Sequence, residues 1–170
     1  MHLYLLRHAI AAERSPRWTG HDAERPLTKK GSKKMERIAA FIKEQDLSFD
    51  LILASPFRRA RQTAEIVADT LSCRDRLLFS HNLKIGGSRR ALISEITTKH
   101  RSKRAILLVG HEPYLGALIS RLISGEDRTP IALRKGGLCS LRVASLRYGR
   151  CATLDWLLAP ANMVRRKGKA

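Results

Sequence analysis

The feature that most constrains this chain is a repeated switch between two hydrophobic periods. Short apolar runs, at Leu3–Leu6, Leu51–Ala54 and Ala105–Val109, read as buried strands. Between them lie stretches with helical spacing. Thr28 can cap a helix running to about Gln45, with Met35, Ile38, Ala39 and Ile42 on its inward face. Further helices fit from Arg58 to Leu71, from Ser88 to Lys99 and from Pro113 to Ser124. Leu115, Leu118, Ile119, Leu122 and Ile123 form the apolar face of the last. A short strand fits at Leu77–Ser80. Two more, near Leu138–Leu146 and Thr153–Leu158, are close enough in sequence to pair antiparallel. Strands alternating with helices predict an α/β fold: a three-layer sandwich with a mainly parallel central sheet and helices on both faces. With 170 residues, 44% of them hydrophobic, the chain suits one domain with a core of its own. We expect that domain to span residues 1–160, followed by a basic C-terminal tail over 161–170 that ends Arg165-Arg166-Lys167-Gly168-Lys169-Ala170.

Several function classes are disfavoured. Cys73, Cys139 and Cys151 are odd in number and widely spaced, which argues against a disulfide framework or a cysteine-rich zinc site and suits a reducing cytoplasm. The first apolar stretch is interrupted by Arg7 and His8 and has no basic segment before it, so it makes a poor signal peptide. No run of about 18 apolar residues is present, so no membrane span is expected. The net charge of +18 favours anionic ligands or partners. There is no helix-turn-helix, RRM or zinc-finger pattern, and at 5% aromatics few rings are available to stack on bases, so no specific nucleic-acid ligand is expected.

In open α/β sheets ligands bind beyond the carboxyl ends of the strands. After the first strand come Arg7 and His8. After the second come Ser55 and Pro56, then Arg58, Arg59 and Arg61 on the opening turns of a helix. After the Ala105–Val109 strand come Gly110, His111, Glu112 and Pro113. Two histidines and several arginines therefore gather at one sheet edge with few acids, as a phosphate site requires. A neutral imidazole attacks phosphorus if its other nitrogen is held as the N–H donor. Arginines neutralise and align the phosphoryl oxygens. Arginines on the first turns of a helix sit against its positive end, an arrangement that a bound anion would relieve.

These residues also resemble a known family. Leu6-Arg7-His8-Ala9 resembles the Arg-His signature of the histidine phosphatase superfamily. Ser55-Pro56-Phe57-Arg58-Arg59-Ala60-Arg61-Gln62-Thr63-Ala64 is similar to its S-P-x-x-R-A-x-Q-T-A motif, and Gly110-His111-Glu112-Pro113 to the segment with its second histidine. Arg25-Pro26-Leu27-Thr28 followed by Gly31, and the ending Asp155-Trp156-Leu157-Leu158-Ala159-Pro160, are similar to stretches of its short SixA-type members. The resemblance implies a phosphoglycerate mutase-like fold and a phosphatase that needs no cofactor. It further implies that His8 is phosphorylated, that Arg7 and Arg59 bind the phosphoryl oxygens, and that His111 completes the pocket. Arg58 and Arg61 fall outside the motif's arginine position. Mutase-like members carry a glutamate proton donor before the second histidine; here that stretch reads His81-Asn82-Leu83-Lys84-Ile85-Gly86-Gly87-Ser88, without a carboxylate. An alkoxide leaving group needs a general acid, whereas imidazole leaving from a P–N bond departs far more readily, so phosphohistidine on a protein is the expected substrate.

The simpler readings are a helix cap for Ser55, a surface position for His81, a turn for Gly86-Gly87 and a solvated face for Arg58 and Arg61. No metal is expected, because histidines among arginines make a poor cation site. The loop between Glu13 and Glu24, with Trp18 and His21, stays unplaced beside the pocket. A monomer acting on a phosphorylated phosphotransfer domain is the leading expectation. A small-molecule phosphatase of the same superfamily and a basic phosphate- or nucleic-acid-binding module remain alternatives.

Overall fold

The structure is a computed structural model and describes residues 1–13 and 20–164. The expected strands form one six-stranded sheet: β1 (His2–Arg7), β2 (Leu51–Ala54), β3 (Leu77–Phe79), β4 (Ala105–Gly110), β5 (Leu138–Val143) and β6 (Ala152–Leu158), in the order β3-β2-β4-β1-β5-β6. The pairs β2/β3, β2/β4 and β1/β4 are parallel, and β5 runs antiparallel to both β1 and β6. Five strands thus share one direction, and the sheet is mainly parallel.

The helices are α1 (Lys29–Glu44), α2 (Arg58–Thr70), α3 (Arg89–Lys99), α4 (Tyr114–Ser124) and the single turn α5 (Pro160–Met163). Side chains alternate along each strand and so feed two cores. Tyr4 and Leu6, Ile52 and Ala54, Leu107 and Val109 pack with the apolar faces of α1 and α2. Leu3 and Leu5, Leu51 and Leu53, Ile106 and Leu108 pack with those of α3 and α4. The layers are therefore helix, sheet, helix. Met35, Ile38, Ala39 and Ile42, expected to face inward on α1, are all fully buried.

Residues 161–164 pack on the domain. Met163 is buried against the α1 side of the sheet and Val164 packs beside it, because the Ala159-Pro160 turn folds the chain back over α1. The rest of the expected tail, 165–170, lies outside the described residues, as does Trp18.

One close approach fixes α1 relative to the end of β1. Thr28 caps the helix, its Oγ1 accepting from Gly31 N at 2.9 Å, while its own N–H donates to the Ile10 carbonyl at 3.0 Å. A Cβ at Gly31 would stand 2.0 Å from that carbonyl oxygen. Gly31→Ala therefore forces the 8–11 segment away from α1, and we expect a loss of roughly 1–3 kcal/mol in urea unfolding. An unchanged midpoint would show that the contact is easily relieved.

Candidate active site

Three strand ends meet because β4 lies between β1 and β2 in parallel register, with Leu6 and Ala54 both level with Val109. The ladder continues one step past the strands: His8 N–H donates to the Gly110 carbonyl at 3.0 Å and Ser55 N–H to the Val109 carbonyl at 2.9 Å. His8, His111 and Ser55 are thereby fixed side by side. The rings of His8 and His111 lie 5.1 Å apart between centroids, and Phe57 packs edge-on to His111 at 5.2 Å.

Both imidazoles are buried, His8 with 6% and His111 with 1% of its surface exposed. His8 Nδ1 lies 2.7 Å from the Ala9 carbonyl oxygen. A carbonyl can only accept, so Nδ1 carries the proton and the Nε2 lone pair is left unprotonated. Burial, reinforced by Arg59, Arg7 and Lys135, pushes the His8 pKa down to about 4 against the opposing Ala9 bond. Burial, then His8 and Arg59, lower that of His111 to about 3, with Asp22 opposing. Two neutral imidazoles thus sit in a positive field.

Arg59 opens α2 and is buried. Its guanidinium donates to Asp22 twice, from Nη1 to the carbonyl at 2.7 Å and from Nη2 to Oδ2 at 3.0 Å. Asp22 Oδ1 also accepts from Arg25 Nε at 2.7 Å. The anion expected opposite this helix end is supplied here by the chain itself. Asp22 was not singled out in the sequence; the one signal for it is a carboxylate three residues before Arg25 in a chain otherwise short of acids. Arg7 is partly buried, donates from Nη1 to the Leu133 carbonyl at 3.0 Å, and keeps a buried Nε without a hydrogen-bond partner. Half-buried Glu112 faces Arg7 electrostatically, and burial raises its carboxyl pKa against that attraction.

Ser55 does not cap α2. Its Oγ lies 2.8 Å from His111 Nε2 and accepts from Phe57 N–H at 3.3 Å, while the residue before the helix, Phe57, offers no capping side chain. His111 Nδ1 is buried with no hydrogen-bond partner. Thr63 and Gln62 bolt the motif to the site. Thr63 Oγ1 donates to the Arg59 carbonyl at 2.7 Å and accepts from Ala9 N–H at 3.1 Å, and Gln62 Oε1 accepts from Leu27 N–H at 2.8 Å. Arg58 is exposed, Arg61 pairs with Glu65 at 3.1 Å, and His81 is exposed on a 3-10 turn. The structure thus brings Arg7, His8, Arg59 and His111 to one sheet edge and leaves Arg58, Arg61 and His81 on the surface.

The family model described as "Histidine phosphatase superfamily (branch 1)" matches residues 3–78, which hold Arg7, His8 and Arg59. An uncharacterized protein of Picosynechococcus sp. is 35% identical over 86% of this chain and 88% of its own. The phosphohistidine phosphatase SixA of Escherichia coli is 28% identical over 98% of this chain and 99% of its own. The chain belongs to the histidine phosphatase superfamily. Among solved structures, the protein histidine phosphatase SixA complexed with tungstate superposes with a TM-score of 0.82 at 27% identity, covering 95% of this chain and 99% of that one. As a histidine phosphatase the chain is a hydrolase, similar to SixA along almost its whole length.

The lowered histidine pKa values link folding to pH. Above about 6.5, the ordinary imidazole value, both folded and unfolded forms hold these rings neutral. As pH falls from there toward about 4 for His8 and about 3 for His111, the unfolded chain takes up protons that the folded phosphatase refuses, so stability drops. In phosphate-free buffer we expect the urea midpoint to fall between about pH 7.5 and 5, and the fall to shrink in His8→Asn/His111→Gln. Equal falls in both proteins would show that the rings are not held neutral.

Proposed function

We propose that this histidine phosphatase removes the phosphoryl group from phosphohistidine in a protein through an intermediate on His8. The observation that carries the proposal is the tautomer: His8 Nδ1–H is committed to the Ala9 carbonyl, so Nε2 is the nucleophilic atom. In the first step the Nε2 lone pair attacks phosphorus and the P–N bond to the substrate imidazole breaks. That imidazole, protonated on its other ring nitrogen before attack, leaves with the bonding electrons as a neutral ring. The charge gained by the His8 ring is stabilised through its Nδ1–H bond to Ala9. In the second step water attacks the phosphoryl group on His8, gives up a proton to solvent, and releases inorganic phosphate and neutral His8.

Arg7 and Arg59 would hold the phosphoryl oxygens and offset the charge on them in the transition state. The unpartnered Arg7 Nε and His111 Nδ1 suit this, because buried polar groups are rarely left unsatisfied unless a ligand completes them. For Arg59 to reach the phosphoryl group, its fork would be shared with Asp22 or released by it. Tungstate is a tetrahedral oxyanion like phosphate, and the existence of a tungstate complex of the similar protein SixA supports the reading that a chain of this kind binds a phosphate-like anion. The loop from His81 to Ser88 supplies no carboxylate, and the nearby acid Glu95 is engaged by Ser80 and Asn82, so a phosphoimidazole whose ring takes its proton from solvent, and needs no general acid from the enzyme, is the better fit. We propose that the enzyme works as a monomer without metal. A reducing cytoplasmic setting suits Cys73, Cys139 and Cys151, none of which is in a disulfide.

Phosphate release from a phosphohistidine-bearing phosphotransfer domain tests the proposal. Wild type should release phosphate, equally with and without EDTA, and His8→Ala should lose on the order of 10³-fold or more. Faster turnover of simple alkyl phosphates than of the phosphoprotein would favour the small-molecule reading. Activity retained in His8→Ala would overturn the nucleophile.

A further inference from the structure

A concavity of about 400 Å³ opens beside Arg7, walled by Lys34 of α1 and by Arg134 and Lys135 of the segment before β5, with Ile10 and the Ala159–Ala161 turn completing it. We infer that this concavity is a subsite for carboxylates flanking the phosphohistidine of a protein substrate; the inference rests on the phosphohistidine reading above and adds the substrate's neighbouring chemistry to it.

Three observations carry it. The first is convergence. Lys34, Arg134 and Lys135 come from elements about 100 positions apart in the chain, yet border one hollow, and among the described residues no carboxylate lines it. With 33 basic and 15 acidic residues, many cations here must be solvated, so charge alone decides nothing. Elsewhere, however, surface arginines find acids: Arg61 meets Glu65, Arg74 meets Asp69, and Arg89 and Arg121 share Asp127. Among the described residues, Lys34, Arg134 and Lys135 take part in no ion pair.

The second is construction. The Arg134–Gly137 turn is fastened to the end of β1. Gly136 N–H donates to the Arg7 carbonyl at 3.0 Å, Arg7 N–H to the Gly137 carbonyl at 3.1 Å, and Arg7 Nη1 to the Leu133 carbonyl at 3.0 Å. The turn closes through Gly137 N–H to the Arg134 carbonyl at 2.6 Å, with Gly136 at a φ of +79°, which glycine adopts without cost. Two cations are therefore held beside Arg7 on a pinned turn instead of on a free loop.

The third is proximity to the chemistry. Lys135 is close enough to His8 to depress its basicity. A peptide whose phosphohistidine reaches His8 passes this hollow, and acidic neighbours would meet unpaired cations there. Their attraction would act on binding and hardly on the chemical step, because the carboxylates do not change charge during phosphoryl transfer.

Two synthetic phosphohistidine peptides test this, one with Asp and Glu around the phosphohistidine and one with Ser and Gly. Wild type should show a KM for the acidic peptide lower by about ten-fold, the effect of two or three exposed charge pairs. Lys34→Ser/Arg134→Ser should remove that preference while keeping the wild-type kcat on the neutral peptide, and the charge-preserving Lys34→Arg/Arg134→Lys should retain it. Equal KM values for the two peptides in wild type would overturn the subsite, as would a double variant that keeps the preference. Failure of wild type to hydrolyse either peptide while it turns over a phosphate ester would instead defeat the phosphohistidine reading and take the subsite with it.

Discussion

The parallel pairing of β4 with both β1 and β2 is the constraint on which the site depends. It aligns three strand ends, and the backbone bonds from His8 to Gly110 and from Ser55 to Val109 extend the ladder into the residues proposed to carry the chemistry. The positions of His8 and His111 thus follow from hydrogen bonds in the most deeply buried part of the molecule and not from loop conformation. Leu107, Leu108 and Val109 are fully buried, with a core on each face of β4. The two halves of the site cannot drift apart without breaking the sheet.

Electrostatics follow from that placement. Desolvation and two neighbouring arginines hold the imidazoles neutral, which keeps the Nε2 lone pair of His8 available, and the Ala9 carbonyl selects the tautomer. The same field is what the proposed binding of a dianionic phosphoryl group would draw on. Asp22 offsets part of that field through Arg59 and Arg25. The motif residues around Arg59 have mechanical duties as well. Thr63 joins α2 to the residue after His8, and Gln62 joins it to the residue before the α1 cap. The motif is therefore a joint between three segments besides being a source of one arginine.

The parts legible in the sequence are those with local signals. The apolar runs became the buried strands, the 3.6-residue spacing of α1 and α4 became their inward faces, and Thr28 became a cap, because period and capping act within a few residues. The gathering of Arg7, His8, Arg59 and His111 was legible through a rule of sheet geometry and four motifs in order. Contacts between distant segments were not. Asp22 meets Arg59 across 37 positions, announced by little more than a carboxylate three residues before Arg25, and Ser55 meets His111 across 56. Ser55 was misread because its place before a helix suggested a cap, whereas its hydroxyl faces the adjacent strand end. The packing of Met163 had no signal either, because a single helical turn after Ala159-Pro160 is too short to show periodicity.

The central claim is that phosphorus passes through His8 Nε2. Its most direct test is to mix the enzyme with a phosphotransfer domain labelled on histidine with radioactive phosphate, quench within milliseconds in alkali, and map the label. The account predicts transient label on the enzyme, confined to the peptide containing His8 and attached at Nε2. Label on His111 or at Nδ1 of His8, or phosphate release with no labelled enzyme at any time, would contradict it.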